Sequence, residues 1–275
     1  MTVTQHVIRQ TIQKLNLSGQ ALCVHSSLSS FGHVEGGAVT ILNGLLAEGC
    51  TVLVPTFTYD FAMSPPEDPA LRPQHNGYNY TNASYGNKER VYTPNYQEVV
   101  RDMGALPAVV AAHPQRVRGN HALNSLAAIG PLAEELIAKQ SPLDVYAPFR
   151  SLLAHHGTVI MIGVGLTRMT LIHYAEQQAG RTLFRRWANS SEGQIIEMEV
   201  GSCSEGFGNF DSIFAPFERR VTVEMSLWRI FDAASVVSEA MEAIQANPHI
   251  THCIEENCER CNDAVMGGPL LKSTH

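Results

Sequence analysis

The stretch Thr158 to Gly180, TVIMIGVGLTRMTLIHYAEQQAG, constrains the fold more than any other part of the chain. Thr158 to Val164 is a run of β-branched and apolar residues between Gly157 and Gly165, and it reads as a fully buried strand. After Gly165 the spacing turns helical. Thr170 is available as an N-cap, and Leu171, Ile172, Tyr174 and Ala175 supply the apolar side. His173 and Glu176 fall three apart and so share one face of the first two turns. The region past the carboxyl end of a buried strand is where α/β enzymes hold reactive groups, so this pair leads the candidates for a site.

The same alternation of strand and helix signals runs through the rest of the chain. Thr4 to Leu17 has amphipathic helical spacing and stops at Gly19. Ala21 to His25 and Thr51 to Phe57 read as strands, with a helix from Ala38 to Ala47 between them. Helices are expected over Gly104 to Ala112, Pro131 to Gln140 and Ser151 to His156, with an apolar run at Leu126 to Ile129. Beyond Gly180, Gln194 to Val200 and Val221 to Met225 alternate as antiparallel strands would, and Leu227 to Ala246 reads as one long helix. The pattern predicts an α/β fold with a mixed, largely parallel central sheet flanked by helices and antiparallel strands added in the C-terminal half. Residues 1–275 contain no linker-grade stretch and no repeat, so a single domain is expected. Its long insertion at about 59–96 is rich in Pro, Asn, Asp and Tyr; Tyr59, Phe61, Tyr78, Tyr80, Tyr85 and Tyr92 favour a packed lid or binding loop over disorder.

Composition narrows the function. A formal charge of −7 on 275 residues argues against nucleic acid as a partner and suits an amine-bearing ligand. No apolar run reaches the roughly 20 residues of a membrane span, and the amino terminus lacks the apolar core of a signal peptide, so a cytoplasmic protein off the membrane is expected. Six scattered cysteines do not form a secreted disulfide framework. The sequence sets no oligomeric state, and a homodimer is among the arrangements it allows.

Ala21 to His25 runs into a loop holding Ser26, Ser27, Ser29 and Ser30, and Gly36-Gly37 then opens the next helix. Strand, hydroxyl-rich loop and helix entrance is a recipe for holding phosphate, although it is neither a Walker A nor a GxGxxG loop, and serines filling an ordinary βα turn have the same look. Three histidines, His25, His121 and His173, lie where strands hand over to loops or helices. Imidazole can accept a proton near neutral pH, and an adjacent carboxylate raises its basicity; His173 with Glu176 fits that role, and a solvated ion pair fits the same spacing. A hydrolase built on His25-Ser26-Ser27 lacks the GxSxG elbow. In the tail, His252, Cys253, Cys258 and Cys261 are soft ligands close in sequence. The absence of a second short Cys pair favours free thiols over zinc, and a non-catalytic coenzyme A-binding or zinc-binding protein is the rival class.

Taken together, VHSSLSSFGHVEGGA, VPTFT, DMGALP at Asp102 to Pro107, RGNHALNSLAAIG, MTLIHYAE and SCSEGF at Ser202 to Phe207 occur in the order that resembles the aminoglycoside 3-N-acetyltransferase family, over roughly Ala21 to Phe210. The resemblance implies an acetyl-coenzyme A-dependent N-acetyltransferase, unrelated in fold to GNAT enzymes, that acts by direct transfer without a metal. It implies His173 as general base, Glu176 as the acid that orients it or holds the substrate amine, and His25 beside the thioester. It further implies Ser26, Ser27, Leu28, Ser29, Ser30, Gly36, Gly37, Arg118 and Ser125 as coenzyme contacts. Thr56, Phe57, His121, Asn124 and Thr170 fall around the acceptor. Two positions depart from the family pattern: Asn124 stands where a second histidine is usual, and Ala108 follows DMGALP where many members carry Glu. An amine on a nucleotide-linked or surface-polysaccharide sugar therefore stands beside an aminoglycoside as the expected acceptor.

Overall fold

The computed structural model describes residues 2–81, 90–189 and 192–269. The chain opens with α1 (Gln5–Lys14), capped by the Thr4 hydroxyl, which accepts from the Val7 amide, and then forms β1 (Ala21–Ser26), α2 (Ala38–Ala47) and β2 (Thr51–Pro55). After β3 (Ala62–Met63) and a long excursion come α3 (Ala105–Ala112), β4 (Val117–Arg118), β5 (Leu126–Ile129), α4 (Ala133–Ile137) and α5 (Ala147–Ala154). The stretch that dominates the sequence forms β6 (Thr158–Ile162) and α6 (Leu171–Gln178). It is followed by β7 (Phe184–Asn189), β8 (Ile195–Val200), α7 (Asp211–Phe214), β9 (Arg219–Val223), β10 (Ser226–Asp232), α8 (Ala233–Ala246) and α9 (Glu259–Met266).

Seven strands form one sheet in the order β4-β5-β2-β1-β6-β10-β9. Its centre, β2-β1-β6, is parallel, and antiparallel strands extend it on both sides. All five residues of β6 are buried because both faces of the sheet are covered. Val159 and Met161 pack with α4, α5, α6 and α8, while Ile160 and Ile162 pack with α1, α2 and α3. This accounts for the unbroken apolar run, since a strand covered on both sides has no solvent face on which to place polar residues.

Two expectations are corrected. Leu227 to Ala246 is not one helix: β10 occupies Ser226–Asp232, and α8 begins only after Asp232, whose carboxylate accepts from the Ser235 amide at 2.8 Å. Trp228 and Ile230 enter one core while Phe231 enters the other, a period of two that a short apolar run does not separate from helical spacing. Gln194 to Val200 is antiparallel as expected, but β8 joins β7 and β3 in a separate three-stranded sheet rather than extending the parallel core. The insertion packs on that second sheet, with the Phe61 ring 5.3 Å from Tyr92 and 4.9 Å from Tyr96, and Tyr78 5.9 Å from Trp187. Tyr85 lies outside the described residues.

Candidate active site

The three parallel strands end on the same edge of the sheet, and two neighbouring cavities open there. One, of about 540 Å³, is lined by Phe57, Asn124, Thr170, His173, Trp187 and the 201–205 loop. The other, of about 310 Å³, is lined by His25, Ser26, Ser27, Leu28 and Ser29 together with Asp102, Met103 and Gly104 at the entrance to α3. Met103, Arg168 and Thr170 line both, so the cavities meet at a shared seam.

His173 reaches the larger cavity from the first turn of α6. Its Nδ1 lies 2.7 Å from Glu176 Oε2, the contact that three-residue helical spacing permits. An ionised carboxylate only accepts, so this bond puts the imidazole proton on Nδ1 and leaves the Nε2 lone pair for the cavity. Glu176 is fully buried and makes further bonds: Oε1 accepts from Arg181 Nη1 at 2.5 Å, and the Ser202 hydroxyl donates to Oε2 at 3.1 Å. Burial acts to raise the Glu176 pKa, but the hydrogen bonds from His173 and Arg181 together with the Arg181 charge outweigh it and hold the carboxyl below its ordinary value. Arg181 follows Gly180, whose φ of 99° ends α6, and its guanidinium also donates to Thr251 Oγ1 and to the carbonyls of Pro248 and Gly268.

The imidazole ring is clamped on both sides. Tyr146 stacks on it at 6.2 Å between centroids and 8° between planes, and Phe207 meets it edge-on at 4.7 Å. Gly201 closes the clamp: a Cβ there would lie 2.6 Å from Tyr146 Oη and 2.7 Å from His173 Cδ2. With rotation blocked and the tautomer set, His173 presents one nitrogen in one direction.

The smaller cavity is built from the loop after β1. The Ser27 amide donates to the Ile162 carbonyl, the Ser27 and Ser29 hydroxyls lie 2.9 Å apart, and Ser30 bonds to Ser226 and to the Ser27 carbonyl. Gly163, at φ 63°, makes room for that loop, since a Cβ there would come within 2.2 Å of the Ser30 side chain. His25 is buried against Cys23 Sγ, and desolvation pushes its pKa down to about 4, so it is neutral at physiological pH.

Several sequence expectations resolve differently. Arg118 and Ser125 line neither cavity: the Arg118 guanidinium is buried and donates to Ser125 Oγ and to the carbonyls of Thr56 and Tyr96, which staples the insertion to β4. Thr56 is likewise sealed, its hydroxyl bonded to the Ser125 carbonyl. His121 is fully buried, with Nδ1 accepting from the Leu123 and Asn124 amides and Nε2–H donating to the Glu199 carbonyl; this shapes a turn and leaves no nitrogen for a substrate. Gly36 and Gly37 line neither cavity, and their φ values of 73° and 65° serve the turn into α2. The helix entrance at the smaller cavity is that of α3, at Gly104. Thr170 holds the N-cap position of α6 without a side-chain cap bond, which leaves it on the seam. Arg181, Tyr146 and Arg168 were missed. Ser202 and Phe207 lay within SCSEGF but carried no role, because loop spacing does not show which side chain turns inward.

The tail cysteines are also rearranged. Cys253, Cys258 and Cys261 gather with Cys203 of the 201–205 loop, their sulfurs all within 4.8 Å of one another, while His252 directs Nδ1 to the Cys253 carbonyl and Nε2 to Asn262 Oδ1.

Among known proteins, the family model described as aminoglycoside 3-N-acetyltransferase matches residues 23–246. Aminoglycoside N(3)-acetyltransferase IX of Micromonospora chalcea is 33% identical over 89% of this chain and 94% of its own length. The SPbeta prophage-derived aminoglycoside N(3')-acetyltransferase-like protein YokD of Bacillus subtilis (strain 168) is 28% identical over 70% of this chain and 71% of its own. Among solved structures, the aminoglycoside acetyltransferase AAC(3)-IVa apoenzyme superposes with a TM-score of 0.75 at 21% identity, over 98% of each chain. AAC-IIIb binary with CoASH superposes with a TM-score of 0.73 at 21% identity, over 90% of this chain and 97% of its own. By fold, by the order of its motifs and by this similarity over nearly its whole length, the chain belongs to the aminoglycoside 3-N-acetyltransferase family, a family of acetyl-coenzyme A-dependent N-acyltransferases.

Proposed function

We propose that this protein transfers the acetyl group of acetyl-coenzyme A directly to an amine of an amino sugar, with His173 as general base. The observation that carries the reading is the clamped His173–Glu176 pair, in which Nδ1 is held by the carboxylate and the ring lines the larger of two cavities that share Met103, Arg168 and Thr170. When bound, acetyl-coenzyme A supplies the thioester to be broken. A sugar ammonium cannot attack a carbonyl until it loses a proton, and His173 Nε2 takes that proton while Glu176 stabilises the imidazolium that forms. The amine nitrogen then bonds to the carbonyl carbon, gives up a second proton, and the carbon–sulfur bond breaks; of the two protons that leave the nitrogen, one goes to the departing thiolate and one to solvent. The Ser27 and Ser29 hydroxyls and the neutral His25 line the coenzyme side, where hydroxyl donors suit the developing oxyanion. Arg168, exposed on the seam, provides a cation for the coenzyme phosphates. No step requires a metal. One fold neighbour was solved with CoASH and another, a mutant of AAC(3)-IVa, with a gentamicin, which supports this pair of ligands.

A second acceptor reading rests on charge. Among the described residues lining the larger cavity, Arg168, Arg186 and Arg260 are basic and Glu205 is the exposed acid. A polycationic antibiotic gains little from such a lining, whereas an amino sugar linked to a phosphate or nucleotide gains an anion contact. A thiol-release assay with acetyl-coenzyme A against both aminoglycosides and nucleotide-linked amino sugars separates the two. Turnover of aminoglycosides alone removes the second reading. A folded protein that binds no coenzyme by calorimetry removes both. His173→Ala is expected to lower turnover by at least ~10²-fold with coenzyme affinity held within a few fold, and near wild-type kcat/KM in this variant would move the base elsewhere.

A further inference from the structure

We propose that Cys203, Cys253, Cys258 and Cys261 bind one Zn²⁺ ion as a four-thiolate structural centre. Their sulfurs lie mutually within 4.8 Å. A tetrahedral site with Zn–S bonds of about 2.3 Å places sulfurs roughly 3.8 Å apart, so small side-chain rotations bring the four into register. Cys258 and Cys261 form a Cys-x₂-Cys pair at the start of α9, with Cys258 at its N-cap and Cys261 in its first turn, which is the short spacing such sites use. The Cys253 amide points at Cys261 Sγ at 3.4 Å, the kind of outer hydrogen bond that orients a metal-bound thiolate. His252 is not the fourth ligand, because both of its ring nitrogens face oxygens. Four soft thiolates with no oxygen donor among them select zinc over magnesium or calcium. Binding replaces the four S–H protons with metal bonds and releases those protons to solvent.

The position of the centre gives it a role. Cys203 belongs to the loop that walls the larger cavity, and Arg260, between Cys258 and Cys261, lines the same cavity and donates to the Ser202 carbonyl at 2.6 Å. Gly268, just past α9, accepts from Arg181 Nε, and Arg181 holds Glu176. Zinc would therefore fasten the tail to the acceptor wall and support the carboxylate behind His173, while the coenzyme cavity has none of these residues in its lining. The centre does not depend on which amine is the acceptor.

The experiment uses the full chain, purified without a polyhistidine tag or chelator. Elemental analysis is expected to find about one equivalent of zinc. In the folded protein the half-buried Cys203, Cys253 and Cys258 are expected to resist a thiol-reactive dye, as the core Cys23 and Cys50 do by burial alone, until a mercurial releases the metal to a colorimetric chelator. X-ray absorption should show four sulfurs at about 2.3 Å. Cys203→Ala and Cys258→Ala should lose the metal, and Cys50→Ala, in the core away from the cluster, should keep it. Zinc removal should raise the acceptor KM and leave that of acetyl-coenzyme A within a few fold. Should the cluster variants fail to fold, the zinc content, thiol count and absorption spectrum of the wild type still decide. A folded protein with substoichiometric zinc and reactive cluster thiols would overturn the proposal. So would an intact mass lower by two hydrogens per disulfide, or a coloured protein holding iron.

Discussion

Glu176→Gln changes the charge behind His173 while keeping the shape of the side chain, and its effect can be worked from the hydrogen bonds. Arg181 only donates, and its Nη1 lies 2.5 Å from the carboxylate, so the new amide must turn its oxygen to Arg181. The amide NH₂ then faces His173 Nδ1 at the 2.7 Å contact, where two donors cannot meet. The imidazole responds by moving its proton to Nε2, which makes Nδ1 the acceptor and removes the lone pair from the cavity. A base in the wrong tautomer loses its contribution, about 10²- to 10⁴-fold in rate. Because Glu176 lies outside the lining of the smaller cavity, proposed to take the coenzyme, affinity for acetyl-coenzyme A should stay within a few fold. The variant also leaves the buried Arg181 charge without its partner, and losing one member of a buried ion pair costs about 3–5 kcal/mol. Single-turnover thiol release under acceptor saturation, with thermal unfolding in parallel, reads both effects. A Glu176→Gln protein with kcat within a few fold of wild type would refute the tautomer reasoning and reduce Glu176 to an ion-pair partner of Arg181.

Gly201→Ala should lower kcat by about tenfold or more and destabilise by about 1–3 kcal/mol, because its Cβ must displace either Tyr146 or His173; steady-state kinetics and a melting curve check it, and an unchanged kcat would mean that the ring is not held by this clamp. Acid should destabilise the fold through His25 and His121, both buried neutral with pKa values lowered by desolvation to about 4. The unfolded chain takes up these protons near pH 6.5 and the folded one only near 4, so this stability is complete above about 6.5 and is lost as pH falls towards 4, by up to about 3 kcal/mol per histidine. Denaturant titrations across that window should show the loss, and its absence in the wild type would contradict the burial of these rings. Arg168→Ala is expected to raise the KM for acetyl-coenzyme A several fold, and a change confined to the acceptor KM would move Arg168 to the acceptor side of the seam.

Legibility in the sequence tracked the range of the interaction. The run Thr158 to Ile162 announced a strand covered on both faces because burial on two sides removes every polar residue from a strand, and that signal is local. His173 and Glu176 were readable for the same reason: three-residue spacing on a helix places two side chains together whatever else the chain does. The serine loop after β1 stood out by its composition, and the structure places it on the smaller cavity, while the motif order named the family. Folding alone brought in what meets from separate elements. Tyr146 reaches His173 from the start of α5, and Cys203, on the wall of the larger cavity, meets the tail cysteines. Arg118 and His121, polar residues in a promising patch, spend their donors and acceptors on backbone groups of the insertion and of β8. Residue types and spacing state which bonds a side chain can make. Which of those bonds it makes depends on strands and loops distant in the chain, since a buried polar group takes the nearest partner that satisfies it, and only the packed structure brings that partner within reach.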